Sequence, residues 1–406
     1  MTDRPDRPDR PRADRPAVPT IIGIDLGTSN TAVAVVRNGK VSVLAGADGA
    51  RAIPSVVSIP RTGELVVGAE ARRRIATDPS RTIASPKRLL GRRLADREVQ
   101  TFVAQAAYRT LPADDGTVLI EVDGEAYAVP QLCGFILDQA RALAERQLGD
   151  VRLAVLAVPV SFDESRCRAV EVAARLAGLE VVGLIAEPNA AALANRYVPG
   201  FGGLVGIYDF GGGTFDFSIV DVSRSRFQVM ASAGDPWLGG DDIDAVLSDA
   251  AANQFWRQHK VDLRKHAAEL QRLRFACEEA KRTLSTADTT RIEVKDVLRT
   301  AEGMVGLKLS LDRATLSRAA GAIVRRSLDV ADRALAQAGL QPGDLSAVYL
   351  CGGSSQMPAV REAVQRHFGV PLQAGVPPDQ AVAIGAAIHG SLIALRRSSP
   401  IVAARG

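Results

Sequence analysis

Two glycine-rich turns in this chain carry residues that could bind a polyphosphate and a metal ion. GIDLGTSNTAVAVV (Gly23–Val36) and YDFGGGTFDFSIV (Tyr208–Val220) share one plan: an apolar strand, an aspartate, a glycine turn and a second apolar strand. Glycine lets the backbone approach an anion closely and direct its N–H groups toward it. The aspartates Asp25 and Asp209 stand beside the turns, where their carboxylate oxygens could hold a hydrated magnesium ion.

The repetition of this pattern decides between two interpretations. A single glycine turn between apolar runs is often no more than a tight hairpin, because glycine is common in turns. Both copies, however, carry an acid at the same offset and a threonine in the turn, Thr28 or Thr214. The two hairpins therefore predict two pseudo-equivalent lobes that hold one polyphosphate from both sides.

Two other segments place polar residues at the ends of apolar strands. LCGGSSQMP (Leu350–Pro358) follows a strand and precedes an amphipathic run. A glycine turn that leads into a helix start can bind an anion or a sugar. LIAEPNAAALA (Leu184–Ala194) puts Glu187 at a strand end, before an alanine-rich helix opened by Pro188. Both segments are typical of a site built at the edge of a sheet.

Two charged segments could contribute further contacts. CEEAKRTLS (Cys277–Ser285) predicts a helix that carries four polar residues on one face, at i, i+3, i+4 and i+7: Glu278, Lys281, Arg282 and Ser285. Taken alone, that face is better explained as a solvated helix surface. PKRLLGRR (Pro86–Arg93) supplies Lys87, whose compact ammonium group can contact a phosphate.

Together and in their order along the chain, the six segments resemble the nucleotide-binding domain of the DnaK-type, seventy-kilodalton heat-shock chaperones, and more broadly the actin, sugar-kinase and heat-shock ATPase superfamily. The resemblance covers about residues 21–395. It implies an α/β protein with the actin-like heat-shock ATPase fold, in which two lobes of duplicated βββαβα type surround a nucleotide cleft.

The resemblance also implies roles for the matching residues, with ATP or ADP and Mg²⁺ as cofactors and K⁺ as a further candidate ion. Lys87 and Glu187 would orient the attacking water, and Thr214 would touch the γ-phosphate. The implied catalytic residues are Lys87, Glu187, Thr214, Asp25 and Asp209. The implied metal site consists of Asp25, Asp209 and Asp216. The implied nucleotide contacts are Gly27, Thr28, Ser29, Gly211, Gly212, Gly213, Thr214, Glu278, Lys281, Arg282, Ser285, Gly352, Gly353, Ser354, Gln356 and Asp379.

Four residues, at three places in the chain, depart from the family pattern. Gln356 stands where the family normally has an arginine that stacks on adenine, so we expect weaker ATP binding or looser selectivity for the base. Cys167 replaces an arginine that relays the nucleotide state to the peptide-binding domain. Pro236 and Trp237 replace the Thr-His pair of the family pattern, whereas the GGDDID segment that follows matches that pattern.

The sequence predicts five parts along the chain. The first part repeats the unit DRP, has no apolar face and is expected to be a disordered tail. A helical insertion of about residues 241–285 lies in the second lobe, and a last helix returns to the first lobe. The predicted boundaries are 1–20 for the tail, 21–199 for lobe I, 200–375 for lobe II, 376–396 for the return helix and 397–406 for a second tail.

Composition predicts a cytoplasmic enzyme with no nucleic-acid or membrane partner. The net charge is +4 and aromatic residues make up 4% of the chain, too few for base stacking. The four cysteines have no metal-binding or paired spacing, which favours a reducing compartment. No apolar run is long enough to cross a bilayer, and no secretory signal is evident. We expect a monomer that binds ATP and a protein partner.

Three functions fit these patterns to different degrees. The first is an ATP-hydrolysing switch that passes its nucleotide state to a separate partner in protein folding or assembly. The second is an ATP-binding sensor or scaffold with negligible turnover, and the third is a sugar kinase. In the family, a hydrophobic linker and a peptide-binding domain follow the ATPase domain. The final residues, IVAARG, do not resemble that linker, so we expect an ATPase module that neither binds unfolded peptides nor is stimulated by them.

Overall fold

Two sheets with the same strand order form the centre of the protein. A computed structural model describes residues 19–196, 202–223, 227–300, 303–373 and 375–397. The strands are β1 Ile21–Leu26, β2 Asn30–Arg37, β3 Lys40–Val43, β4 Ile53–Pro54, β5 Val56–Ser58, β6 Val66–Val67, β7 Thr82–Ala84, β8 Arg109–Pro112, β9 Val118–Val122, β10 Glu125–Ala128, β11 Leu153–Val158, β12 Glu180–Ala186, β13 Leu204–Phe210, β14 Phe215–Asp221, β15 Gln228–Asp235, β16 Thr289–Thr300, β17 Gly303–Asp312, β18 Ala347–Cys351 and β19 Leu372–Gln373.

Helices cover the faces of these sheets and fill the space between them. The α-helices are α1 Ala69–Arg74, α2 Arg97–Val103, α3 Val129–Leu148, α4 Glu164–Leu176, α5 Glu187–Asn195, α6 Gly240–His259, α7 Ala267–Thr283, α8 Arg313–Ala338, α9 Pro358–Phe368 and α10 Ala381–Arg397. Short 3₁₀ turns lie at Pro79–Arg81, Pro86–Leu89, Leu263–Lys265, Pro342–Asp344 and Gly353–Gln356.

The first sheet has the order β12-β11-β1-β2-β3, with β4 beside β2. Strands β1, β2 and β3 pair antiparallel, whereas β11 and β12 run parallel to β1. The pairing of β1 with β2 forms the first glycine hairpin, in which Leu26 lies opposite Thr31. Apolar side chains of this sheet and of α3 and α4 form one core cluster.

The second sheet repeats this arrangement in the order β15-β14-β13-β18-β19. Again three antiparallel strands come first, and β18 and β19 join in parallel. The β13–β14 pair forms the second glycine hairpin, with Phe210 opposite Phe215. The predicted α/β, actin-like ATPase fold is confirmed. In each half, a further strand and helix follow the predicted βββαβα unit.

Two helices, α5 and α10, pack between the sheets through very small residues. A Cβ on Gly23 of β1 would lie 2.0 Å from the backbone nitrogen of Ala387 in α10. A Cβ on Gly385 of α10 would lie 1.8 Å from the carbonyl oxygen of Ala190 in α5. The backbones therefore touch directly, and any larger residue at either glycine would separate the helix from its neighbour. The core cluster that these helices form also includes apolar residues of β13 and β18 in the second sheet.

Several predictions fall on residues that lie outside the described ranges. They are the N-terminal tail up to residue 18, the boundary between the lobes at 199/200, and the C-terminal tail after Arg397. The predicted helical insertion consists of α6 and α7, followed by the β16–β17 hairpin. Among the helices that the structure describes, none has the length and hydropathy required to cross a membrane.

Candidate active site

A cleft of about 400 Å³ separates the two sheets. Every residue predicted for the site lines it, except Gly213 and Asp216. The lining residues from the prediction are Asp25, Gly27, Thr28, Ser29, Lys87, Glu187, Asp209, Gly211, Gly212, Thr214, Glu278, Lys281, Arg282, Ser285, Gly352, Gly353, Ser354, Gln356 and Asp379. The structure thus brings together seven separate places in the chain, while the role of each residue stays a prediction.

The two glycine hairpins touch each other at the floor of the cleft. A Cβ on Gly212 would lie 1.8 Å from Oγ of Ser29 in the other hairpin. The turn at Gly211 is closed by its N–H, which donates to the carbonyl oxygen of Thr214 at 3.0 Å. Oγ of Ser354 donates to the carbonyl oxygen of Gly211 at 2.8 Å, so the third glycine turn is fastened to the second. Only glycine allows the hairpins to approach so closely.

Gly213 and Asp216 do not line the cleft, in contrast to the other predicted residues. A Cβ on Gly213 would lie 2.4 Å from Cγ2 of Thr28 and 2.4 Å from Nε of Arg88, so this glycine is packed under the first hairpin. The carboxyl of Asp216 lies over Gly234 of the neighbouring strand, within 2.2 Å of where a Cβ would stand. Burial, and then the charge of Glu187, raise the pKa of Asp216 to about 8.

Lys87 and Glu187 form a buried ion pair beside the hairpins. Nζ of Lys87 donates to Oε1 of Glu187 at 2.9 Å, and the side chains are 8% and 11% exposed. Lys87 lies in the 3₁₀ turn Pro86–Leu89, which begins after Ser85 in the left-handed region (φ 56°). Glu187 is the first residue of α5, where a helix N-terminus favours negative charge. Although burial alone would lower the pKa of Lys87, Glu187 and Asp25 raise it, so its ammonium is charged at neutral pH.

Asp25 and Asp209 face each other across the same end of the cleft. Burial, followed by the charge of Glu187, raises the pKa of Asp25 to about 7, and Lys87 opposes this rise. The pKa of Asp209 is raised well above its ordinary value by burial, Glu187 and Asp25 in that order. Carboxylates crowded in this way repel one another, and a hard cation between them would relieve the repulsion. The donor set therefore fits magnesium held through water.

The charged helix α7 forms the opposite wall, with one correction to the prediction. Glu278, Lys281 and Arg282 lie on the helix, but α7 ends at Thr283, so Ser285 follows the helix instead of sharing its face. The carbonyl oxygen of Leu284 accepts a hydrogen bond from Nε of Arg313 at 2.9 Å. This contact binds a carbonyl at the helix end that has no partner within the helix. Ser285 still reaches the cleft.

Lys281 and Glu278 have protein partners in this structure. Nζ of Lys281 donates to Oδ2 of Asp244 at 2.6 Å and to the carbonyl oxygen of Gly240 at 2.8 Å. Oε1 of Glu278 lies 3.1 Å from Nη2 of Arg72, which belongs to α1 on the other side of the cleft. These contacts connect α7 to α6 and to the first half of the protein.

The third glycine turn forms the rim on which a base could lie. Gly352 has φ 77°, a conformation that favours glycine, and its N–H donates to the carbonyl oxygen of Pro378 at 3.0 Å. A Cβ there would lie 2.7 Å from Oδ1 of Asp209. Gln356, at the end of the 3₁₀ turn, is exposed and lines the cleft. The position that departs from the family pattern thus does face the site.

Sequence reasoning missed residues that hold the two halves together. Arg88 lies next to Lys87, and its Nη2 is 3.2 Å from Oδ2 of Asp241, which lines the cleft from the other half. Backbone N–H of Asp241 donates to the carbonyl oxygen of Gly212 at 2.7 Å. The sequence offered one indication of Arg88, namely its position next to Lys87 in PKRLLGRR. The neighbouring residues do not show that its side chain points away from Lys87.

Comparison with known protein families agrees with this geometry. A family model described as Hsp70 protein matches residues 21–401. The match spans both sheets, both hairpins and the cleft between them. Proteins of this family are ATP-binding chaperones with ATPase activity. The chain belongs to the Hsp70 family.

Proposed function

We propose that this chain is a magnesium-dependent ATPase of the DnaK type that acts as a nucleotide switch on a separate protein partner. The observation that carries the proposal is the Lys87–Glu187 pair, which lies beside Asp25 in a cleft formed by two matching glycine hairpins. Phosphoryl transfer to water requires little covalent help from a protein. It requires positioning of the phosphate and of the water, together with neutralisation of charge.

Binding of the triphosphate is the task of the two hairpins. The backbone N–H groups at residues 27–29 and 211–214 would hold the β- and γ-phosphates, with Thr214 at the γ-phosphate. Asp25 and Asp209 would hold magnesium through water. Asp216 does not line the cleft, so it would affect the ion site through its charge and not by direct contact. Magnesium supplies charge neutralisation on the phosphate oxygens. K⁺ as an additional ion stays a prediction.

Hydrolysis would depend on Lys87 and Glu187. The Glu187 carboxylate can accept a hydrogen bond from a water, and the Lys87 ammonium can donate one to the same water or to a phosphate oxygen. Their mutual hydrogen bond at 2.9 Å fixes both side chains before any ligand arrives. Such a preorganised pair costs no rearrangement at the moment of reaction.

The output of the switch would be a change in the closure of the cleft. Contacts such as Arg72–Glu278 and Arg88–Asp241 join the two halves across the opening, and nucleotide binding would bias them. A protein partner would detect that change. We also propose that the chain acts as a monomer in the cytoplasm, where its four free cysteines would stay reduced.

The test is to measure binding and turnover on the same preparation. Calorimetry with ATP, with and without Mg²⁺, should show magnesium-dependent binding, and a phosphate sensor should show steady release. Magnesium-dependent binding without phosphate release would instead support the ATP-binding sensor. Phosphate release that is replaced by phosphorylation of an added hexose would support a sugar kinase. Absence of ATP binding would contradict the ATPase, the ATP-binding sensor and the sugar kinase alike.

A further inference from the structure

Trp237 crosses from one half of the protein to the other. It lies two residues after β15 of the second sheet, and its backbone N–H donates to Oδ1 of Asp235 at 3.0 Å. Its ring packs against the apolar core cluster of the first half. There its centroid is 5.7 Å from the ring of Phe102 in α2, with the planes tilted by 50°. A half-buried indole therefore joins two elements that no covalent or sheet contact connects.

Arg88 packs beside these two rings and contacts both. Its guanidinium carbon lies 5.5 Å from the centroid of Phe102 and 5.5 Å from that of Trp237, and the side chain is 4% exposed. Nε of Arg88 is buried without a hydrogen-bond partner among the described residues, and it lies close to Gly213 of the second glycine hairpin. A desolvated guanidinium over aromatic faces is attracted by their π-electrons.

The cluster of Phe102, Arg88 and Trp237 lies between the turn that carries Lys87 and the glycine hairpin of the second sheet. Arg88 directly follows Lys87 in the same 3₁₀ turn, so its position fixes that of the lysine backbone. On its other side, Arg88 pairs with Asp241 at 3.2 Å, and the N–H of Asp241 donates to the second glycine hairpin at Gly212. One chain of contacts thus connects the Lys87 turn to the phosphate-binding turn of the opposite lobe.

We propose that Arg88 and Trp237 form an inter-lobe latch, in which they act as positioning residues that keep the cleft closed and slow the release of nucleotide. The inference rests on the proposed function, because it assigns a regulation to the same cleft. Opening the cleft requires the Trp237 indole to leave both Phe102 and Arg88, which belong to the other half.

Release of a fluorescent N-methylanthraniloyl ADP, followed by stopped flow, tests the latch. Trp237→Ala should release the nucleotide about ten-fold faster or more, which corresponds to the loss of one desolvated cation–π contact. In this variant the association rate of the labelled ADP should change less than its release rate. Trp237→Phe, which keeps a ring, should stay within a few-fold of wild type. Trp256→Ala is the matched control, because the second tryptophan is 48% exposed on α6.

Arg88→Lys provides a second variant if Trp237→Ala does not fold. It keeps the charge near Asp241 but lacks the planar group that stacks, so it too should accelerate release. Release from both folded variants within two-fold of the wild-type rate would overturn the latch.

A measurement without nucleotide separates failure of the latch from failure of the proposed function. The chain has two tryptophans, so Trp256→Phe leaves Trp237 as its only indole. In that background, acrylamide should quench the fluorescence of Trp237 weakly, and Arg88→Lys should increase the quenching. Unchanged quenching would overturn the latch even if ATP binds. Increased quenching in a protein that binds no adenine nucleotide would support the latch and contradict only the ATPase.

Discussion

Lys87 donates a hydrogen bond to Glu187 across 2.9 Å, although the two residues are a hundred positions apart in the chain. One comes from a 3₁₀ turn after β7 and the other from the first turn of α5, so only the folded first lobe brings them together. The pair lies where the two glycine hairpins meet. Its burial means that neither charge can be removed without leaving the other uncompensated.

The adenine side of the cleft can be tested by restoring the arginine that the family pattern has at position 356. Gln356→Arg should tighten ATP binding by about 0.5–2 kcal/mol, because an exposed glutamine at the rim would be replaced by a guanidinium that can stack on the base. Calorimetry with ATP measures the change. Gln258→Arg, which adds the same charge on the exposed face of α6, should leave the affinity unchanged. Equal affinities for wild type and Gln356→Arg would show that the base does not lie against this residue.

Glycine substitutions test the close packing of the hairpins. A Cβ on Gly239 would lie 2.3 Å from the carbonyl oxygen of Gly212, which is backbone and cannot move aside. Gly239→Ala should therefore destabilise the fold and weaken nucleotide binding. Gly321→Ala, in the interior of α8 with open space around it, should instead stabilise the protein by about 0.5–1 kcal/mol. Urea unfolding of both variants measures the contrast. Equal stability of both would contradict the packing described for the hairpin.

The raised pKa of Asp25 predicts an unusual pH dependence in the absence of metal and nucleotide. The folded protein keeps this carboxyl protonated up to about pH 7, whereas the unfolded chain ionises it near 3.8. The folded state therefore binds more protons in that window, and stability falls as the pH rises through it. Each such group contributes a slope of about 1.4 kcal/mol per pH unit.

Urea unfolding at several pH values between 5 and 7, in a chelating buffer, measures this slope. Asp25→Asn removes one titrating proton and should lower the slope by about 1.4 kcal/mol per pH unit, while the contributions of Asp209 and Asp216 remain. Asp114→Asn, on an exposed turn, should keep the wild-type slope. A wild-type protein whose stability rises with pH over this range would show that Asp25 is ionised in the folded state.

Local pattern was sufficient for the hairpins and insufficient for the contacts between the lobes. A strand, an aspartate, a glycine turn and a second strand are consecutive in sequence, so residues 23–36 and 208–220 predicted β1–β2 and β13–β14 directly. The four polar residues predicted for one face of α7 do line one cleft, but the helix ends at Thr283, and its end carries a contact from Arg313, which is distant in the chain. The contact of Arg88 with Trp237 likewise depends on how the lobes face each other.

Single-turnover hydrolysis by Lys87→Ala tests the central claim most directly. Pre-bound ATP should be hydrolysed at least about a hundred-fold more slowly than by wild type, because one preorganised electrostatic contact is lost, while ATP still binds. Lys308→Ala, at a lysine that is 58% exposed on the β16–β17 hairpin, should hydrolyse ATP at the wild-type rate. A Lys87→Ala rate within a few-fold of wild type would contradict the catalytic role of the Lys87–Glu187 pair.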